Sequence, residues 1–292
     1  MLESLQLFYV LYPQAGAACS LIFGLLIGSF LNVVITRLPV MLEQSWREDA
    51  EAFLELTADE APREKLSLAS PRSHCPVCKT EVAVRDNIPL LSFVLLLGRC
   101  RHCHTPISWQ YPAVEFTSGI ATVFLILQFG LSATAAFACL LSYALLCLAV
   151  IDFRTTLLPD QITLSFLWLG LIANLTGTFV SLDDAVIGAL GGYLSLWSVY
   201  WVFKLITGKE GMGFGDFKLL AALGAWLGWQ ALPGIILLSS FAGALIGLCL
   251  IALGRDRDHP IPFGPYLAIA GWIMLVWGSA INQYYFSLMG VR

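Results

Sequence analysis

The sequence predicts an all-α, polytopic membrane protein with about eight transmembrane helices. The mean hydropathy is +0.78, and only 12% of the 292 residues are charged. Soluble globular proteins carry about 25% charged residues. Apolar runs of about 20 residues, the length that crosses a bilayer as a helix, recur along the chain.

The predicted spans begin with a run from Ala15 to Ile35. A polar stretch from Arg37 to about Ser108 follows and holds nearly all of the charge-dense sequence. The remaining apolar runs cover residues 110–130, 133–152, 161–180, 184–206, 217–230, 232–253 and 262–285. The run at 217–230 is short and could be re-entrant. We therefore predict a first span (1–36), a polar loop domain (37–108) and a transmembrane bundle (109–292).

Positive charge orients the predicted bundle, because cytoplasmic loops carry the excess of Lys and Arg. Nine such residues lie in the polar stretch: Arg37, Arg47, Arg63, Lys65, Arg72, Lys79, Arg85, Arg99 and Arg101. If this loop is cytoplasmic, the N-terminus is outside, and alternation places six more on the same side: Arg154, Lys204, Lys209, Lys218, Arg255 and Arg257. Only Arg292 falls outside, which favours 217–230 as a full span. The net charge of −4 gives no reason to expect nucleic-acid binding.

The polar loop contains two C-x2-C knuckles, Cys75–Cys78 and Cys100–Cys103. Each knuckle presents two thiolates from one turn, and zinc prefers four such ligands in a closed structural site. The reducing cytoplasm disfavours the alternative of two disulfides. We therefore predict a cytoplasmic zinc-binding domain that holds structural Zn²⁺. Three nearby histidines are interpreted as surface residues rather than ligands: His74, His102 and His104.

Two carboxylates fall at the ends of predicted spans, where ionisable groups are costly and indicate function. Asp152 ends the third span, and Asp216 opens the sixth. Because these spans run in opposite directions, both carboxylates lie near the cytoplasmic face. Two close carboxylates can share a proton, so that one activates water while the other protonates the substrate. Gly213 and Gly215 precede Asp216 and permit close backbone approach.

Position alone leaves structural interpretations of these carboxylates open. Asp216 could cap the start of a helix, and Asp152 could pair with Arg154 at a helix end. Asp160 follows Pro159 and is interpreted as the N-cap of the fourth span.

Five motifs occur in a characteristic order. They are Gly28-Ser29-Phe30-Leu31-Asn32-Val33-Val34 with Arg37-Leu38-Pro39, the paired C-x2-C loop, Ile151-Asp152 with Leu158-Pro159-Asp160, Gly213-Phe214-Gly215-Asp216, and Pro262-Phe263-Gly264-Pro265-Tyr266-Leu267. Together they resemble the type IV prepilin peptidases, which are GxGD-type intramembrane aspartic proteases. The resemblance covers nearly the whole chain.

The resemblance implies a bifunctional leader peptidase and N-methyltransferase of the bacterial inner membrane. Such enzymes remove a basic leader from type IV prepilins and type II secretion pseudopilins, after a glycine, on the cytoplasmic side. A prepilin is a single hydrophobic helix with this charged leader. The enzymes then methylate the new N-terminal residue, usually phenylalanine, with S-adenosylmethionine. The family's catalytic aspartates map onto Asp152 and Asp216. Its zinc ligands map onto Cys75, Cys78, Cys100 and Cys103, a loop that some peptidase-only relatives lack.

The methyl-donor site has a weaker signature, because no Rossmann-type glycine fingerprint follows a strand. Four residues of the first-loop face are the candidates: Asn32, Arg37, Glu43 and Gly98. Ser29 and Asn32 lie one helical turn apart, either as a polar stripe or as packing beside Gly28. Glu115 is open between substrate contact, cofactor contact and buried pairing.

Three other functions remain to be separated from this one. The first is a zinc-stabilised membrane scaffold without catalysis. The second is an ion transporter, although its carboxylates would more naturally lie near the bilayer midplane. The third is a peptidase that no longer methylates. The expected partners are prepilins, pseudopilins and membrane lipid, with no nucleic acid.

Overall fold

A computed structural model of the protein describes residues 2–55, 66–254 and 261–288. Within these ranges the regular structure is helical and contains no strand, so the predicted all-α class is confirmed. Five basic residues used for the topology prediction lie outside the described residues: Arg63, Lys65, Arg255, Arg257 and Arg292.

The described ranges contain ten α-helices, eight of which contain or overlap a predicted apolar run. They are α1 (Leu2–Leu11), α2 (Pro13–Phe53), α3 (Leu91–Leu95), α4 (Gln110–Phe129), α5 (Ala133–Thr155), α6 (Asp160–Asn174), α7 (Leu182–Thr207), α8 (Phe214–Leu227), α9 (Leu232–Ala252) and α10 (Gly264–Leu288). Short 3₁₀ turns occupy Val84–Asp86 and Trp229–Ala231.

Six of these helices are long and apolar enough to cross a membrane: α2, α4, α5, α7, α9 and α10. The polytopic membrane class is therefore confirmed. The other two predicted spans are also helices, but α6 has 15 residues and α8 has 14. A helix of that length rises only about 21–23 Å, against a hydrocarbon core of about 30 Å. In the described residues, the eight predicted spans thus comprise six helices that meet the span criterion and two shorter ones.

The chain divides into two compact units, residues 1–131 and 132–292. The first unit contains α1 to α4 and the cysteine loop, and the second contains α5 to α10. The three-part division at residues 36 and 108 stays a prediction.

In the first unit, α2 continues well beyond the predicted first span. Its 41 residues rise about 60 Å, roughly twice the thickness of a hydrocarbon core. The polar stretch that begins at Arg37 is therefore helical as far as Phe53. Helix α4 packs closely on α2. The approach is so close that a Cβ added to Gly28 would lie only 2.7 Å from Cα of Glu115. Small residues at such positions let membrane helices approach each other.

In the second unit, α8 forms the core. Every residue from Asp216 to Leu227 is buried except Lys218, which is partly exposed. Helices α6, α7 and α10 pack around it. The Asn174 amide donates to the carbonyl of Ala225 at 2.9 Å, which fixes the far end of α8 to α6. The 217–230 run is apolar on all sides, as expected of a helix that is surrounded by protein. Such a helix need not be as long as the bilayer is thick.

Candidate functional site

Asp152 lies in the last turn of α5 and is 5% exposed. Its Oδ2 accepts a hydrogen bond of 2.9 Å from the backbone N–H of Gly264, the first residue of α10. A Cβ at position 264 would lie 2.6 Å from this oxygen, which is closer than van der Waals contact allows. The glycine therefore lets the backbone approach the carboxylate, and this contact holds the side chain in place.

Asp216 lies in the first turn of α8 and is 7% exposed. The N-cap of α8 is Gly213, so Asp216 is inside the helix and does not cap it. Among the described residues, its Oδ1 is buried without a hydrogen-bond partner. An unpaired buried acceptor costs about 1–3 kcal/mol and is a common sign of a functional group.

The structure brings the two carboxylates together in the second unit, close enough for the charge of Asp152 to act on Asp216. One comes from the end of α5 and the other from the start of α8. The supporting glycines differ in their packing. A Cβ on Gly215 would lie 2.7 Å from Cβ of Leu158, whereas one on Gly213 would meet nothing closer than 3.9 Å.

Asp160 is not the N-cap of its helix, which corrects the sequence interpretation. The N-cap of α6 is Pro159, and Asp160 is the first helical residue. Its carboxylate instead accepts two hydrogen bonds of 2.7 Å from Lys218 Nζ on α8. This ion pair links the starts of α6 and α8 beside Asp216.

The four loop cysteines form one cluster in the first unit. Their sulfur atoms all lie within 4.8 Å of one another, and all four cysteines are free. The Sγ atoms of Cys75 and Cys103 are 3.7 Å apart, and those of Cys78 and Cys100 are 3.9 Å apart. Four ligands at a Zn–S distance of about 2.3 Å place sulfurs about 3.8 Å apart in a tetrahedron. The donor set and its spacing therefore fit a zinc ion, which the four thiolates would hold as a closed structural site.

The two knuckles have the same local structure. Lys79 and His104 each follow the second cysteine and have positive φ values of 58° and 57°. Their backbone N–H groups donate to the carbonyls of Cys75 and Cys100. Thr105, with Oγ1 3.2 Å from Cys103 Sγ, lowers the pKa of that thiol to about 6, which favours the thiolate that binds metal. The three nearby histidines are exposed and lie outside the sulfur cluster: His74, His102 and His104.

The candidate methyl-donor residues all lie in the first unit. Asn32 is buried, and its amide donates to the carbonyl of Tyr111 at 3.0 Å. Gly98 has a φ of +67°, and its carbonyl accepts from Ile107 N–H at 2.7 Å. Segment 107–111 thus connects Asn32 with Gly98. Glu43 is exposed and lies eleven residues from Asn32 on α2, or about 16 Å along the axis. Their role in binding a methyl donor stays a prediction.

Arg37 and Glu115 hold the chain in place in this structure. The Arg37 guanidinium donates to the carbonyls of Ser67 and Pro71, at 2.7 and 2.6 Å. The buried Glu115 carboxylate accepts from Leu90 N–H at 2.9 Å. Leu90 has a φ of +58°, so Glu115 secures a strained turn before α3. Asn32, at one end of the polar stripe on α2, contacts the start of α4 through Tyr111.

Gly264 is a site residue whose role the sequence prediction missed. The motif that contains it matched the family, but nothing in the sequence showed that its N–H reaches Asp152. A glycine between two prolines at the start of the last span is the available signal.

The fold and the site together define a multi-pass membrane protein with a buried carboxylate pair and a separate four-cysteine centre. Two family models match the chain. Residues 22–129 match the bacterial peptidase A24 N-terminal domain, and residues 139–248 match the type IV leader peptidase family.

Relatives of known name cover nearly the whole chain. A prepilin leader peptidase/N-methyltransferase of Aeromonas hydrophila is 54% identical over 265 residues, which are 90% of this chain and 91% of the relative. Proteins of the same name from Stutzerimonas stutzeri and Pseudomonas aeruginosa are 51% and 49% identical. The Stutzerimonas stutzeri alignment covers 94% of this chain and 94% of the relative. The Pseudomonas aeruginosa alignment covers 96% of this chain and 97% of the relative. No solved structure matches the chain significantly.

The chain therefore belongs to the type IV leader peptidase family. The predicted resemblance is confirmed, and so is the prediction that the protein is an enzyme of this family.

Proposed function

We propose that this chain removes the basic leader from type IV prepilins and type II secretion pseudopilins, and then N-methylates the new N-terminal residue. The observation that carries the peptidase half is the buried pair of Asp152 and Asp216, held on α5 and α8 of the unit that matches the peptidase family. Relatives that are about half identical carry both activities in their names.

Cleavage proceeds by aspartic-protease chemistry in this proposal. One carboxylate accepts a proton from a water molecule as it attacks the scissile carbonyl. The other donates a proton to the carbonyl oxygen, which gives a gem-diol. As the C–N bond breaks, the first carboxyl group donates its proton to the leaving amine, and the gem-diol returns a proton to the second carboxylate. Gly264 keeps one oxygen of Asp152 fixed through its N–H donor. The unpartnered Oδ1 of Asp216 is available to bind water or substrate.

The site lies at the cytoplasmic face of the bacterial inner membrane in this proposal, and the N-terminus is periplasmic. The distribution of Lys and Arg supports this orientation. Both aspartates are at helix ends rather than at helix centres, as cutting near a membrane surface requires. A transporter would place such groups nearer the midplane.

In this proposal, S-adenosylmethionine donates the methyl group to the new N-terminal residue, which is usually phenylalanine. The four-cysteine loop supports this second activity, because the relatives named for both activities align over this region. Asn32, Glu43 and Gly98 are proposed to take part in the methyl-donor site. We propose that zinc has a structural role, because four cysteines leave no open coordination position.

The test uses Asp152→Asn and Asp216→Asn in purified protein, with a full-length prepilin and labelled S-adenosylmethionine. Each substitution keeps the size of the side chain but removes its acid–base function, so cleavage should fall by about 10³-fold or more. Asp183→Asn, an exposed carboxylate at the start of α7, is the matched control and should cut normally.

The outcomes separate the rival functions. Normal cleavage by both aspartate variants would contradict the proposed chemistry and favour the scaffold. Cleavage by the wild type without transfer of label to the product would leave a peptidase alone.

A further inference from the structure

An apolar cleft lies between α7 and α9 in the second unit. Helix α7 packs mainly on α8, and α9 packs mainly on α10, so α7 and α9 touch each other little. The space between them has a volume of about 390 Å³. Leu196 and Val199 line it from α7, and we call it the α7–α9 cleft.

The α9 side of the cleft presents small side chains. Ser240, Gly243 and Ala244 lie at positions i, i+3 and i+4, and therefore on one face of the helix. The ring of Tyr266 from α10 lies behind Gly243, where a Cβ would be 3.4 Å away. Small residues on a membrane helix allow another helix to approach closely. From Ile236 to Ala244 the lined face extends about 12 Å, or two turns of a docked helix.

The cleft lining includes two residues that adjoin the carboxylate site along the chain. Met212 and Phe263 both line the cleft. Met212 directly precedes Gly213, the N-cap of the helix that carries Asp216. Phe263 directly precedes Gly264, whose N–H binds Asp152. The two segments that carry or contact the aspartates thus also contribute to the lining of the cleft.

We propose that the α7–α9 cleft docks the apolar helix of the prepilin substrate and guides the peptide at its end to Asp152 and Asp216. This inference rests on the proposed function and assigns the substrate helix a place. The lining side chains are apolar apart from those of Ser240 and Tyr266, as an apolar helix requires. The continuity with the aspartates selects an occupant that ends in a peptide to be cut. A lipid chain would match the apolar lining but has no such peptide.

The first test is site-specific photo-crosslinking in the Asp216→Asn background, where substrate accumulates uncut. A p-benzoylphenylalanine is placed at Val199, which lines the cleft and is 59% exposed, or at Leu194, which faces away from it on the same helix and is 51% exposed. The Val199 probe should crosslink to the prepilin helix at least tenfold more than the Leu194 probe. Equal yields, or crosslinks from Val199 only to lipid or to a second copy of the chain, would overturn the proposal.

The second test fills the cleft with Ala244→Trp and uses Leu245→Trp as the control. Leu245 is the next residue on α9, is exposed, and does not line the cleft. Ala244→Trp should lower kcat/KM for full-length prepilin at least tenfold, mainly through KM. For a short peptide that contains the leader and the cut site but no helix, Ala244→Trp should lower kcat/KM less than threefold. Leu245→Trp should cut both substrates at the wild-type rate.

These tests distinguish failure of the inference from failure of the proposed function. If the wild type does not cut prepilin at all, the proposed function is wrong. If the wild type cuts prepilin and Ala244→Trp cuts it equally well, only the docking site is wrong. Equal losses on both substrates would also contradict the docking site.

Discussion

The contact between Asp152 and Gly264 shows how one missing side chain shapes the site. The carboxylate occupies the space that a Cβ at position 264 would need. In return it accepts the N–H at the start of α10, a donor that no helical carbonyl can satisfy. The residue at position 264 therefore controls the orientation of Asp152 without any side-chain chemistry of its own.

Gly264→Ala should lower kcat for prepilin cleavage at least about tenfold, because the added methyl group displaces Asp152 from its position. The rate of leader removal by purified enzyme measures this effect. Gly278→Ala on the same helix is the matched control, since its Cβ would meet only Met274 at an ordinary 3.5 Å. Equal rates for the two variants would show that the Gly264 contact does not position the carboxylate.

The two glycines before Asp216 should differ in sensitivity to alanine. A Cβ on Gly215 would collide with Leu158, whereas one on Gly213 has room, and the backbone there is extended. We expect Gly215→Ala to lose about tenfold or more in kcat, and Gly213→Ala to lose clearly less. Leader-removal rates of the two variants, measured side by side, test this order. A larger loss for Gly213→Ala would mean that the first glycine acts through substrate or motion rather than through packing.

At the scale of elements, the cysteine loop is built from two equivalent turns held by few other contacts. Arg101 in the second knuckle donates two hydrogen bonds to Asp86, at 2.6 and 2.8 Å, and lowers the pKa of that carboxyl. The loop has no strand in its described part and few buried apolar residues. A bound metal would therefore supply much of its stability.

Cys103→Ser should reduce bound zinc from about one ion per chain to nearly none, because a closed site needs all four thiolates. Elemental analysis of the purified protein gives the zinc content. In limited proteolysis, the loop of the Cys103→Ser variant should be cut faster than the loop of the wild type. Cys249→Ser changes an exposed cysteine on α9 and should retain the metal. Full zinc occupancy in Cys103→Ser would contradict the tetrathiolate site.

At the scale of the whole molecule, α7 offers a direct test of topology. Its 26 residues rise about 39 Å, enough to cross the hydrocarbon core. Asp183 at its start and Lys209 just beyond its end are both exposed. The charge distribution predicts that Asp183 is periplasmic and Lys209 cytoplasmic.

A cysteine introduced at either position, in a chain whose exposed Cys19 and Cys249 are replaced by serine, reports the orientation. Its labelling is compared with that of the parent chain, which keeps the other six native cysteines. In spheroplasts, a membrane-impermeant maleimide should label Asp183→Cys at once. It should label Lys209→Cys only after the membrane is opened. The reverse pattern would place the carboxylate pair on the periplasmic side.

The sequence by itself determined the membrane class, the order of the helices, the two aspartates and the four cysteines. The membrane class, the helices and the cysteines depend on apolar run length and on ligand spacing, which are local properties of a chain, whereas the ordered family motifs singled out the two aspartates as candidates. Tertiary structure decided the rest. It limited α6 and α8 to 15 and 14 residues, and it surrounded α8 with protein. It paired Asp160 with Lys218, and it brought Gly264 to Asp152 across 112 positions of sequence. Contacts between distant segments depend on helix packing, and no local pattern in the chain encodes them.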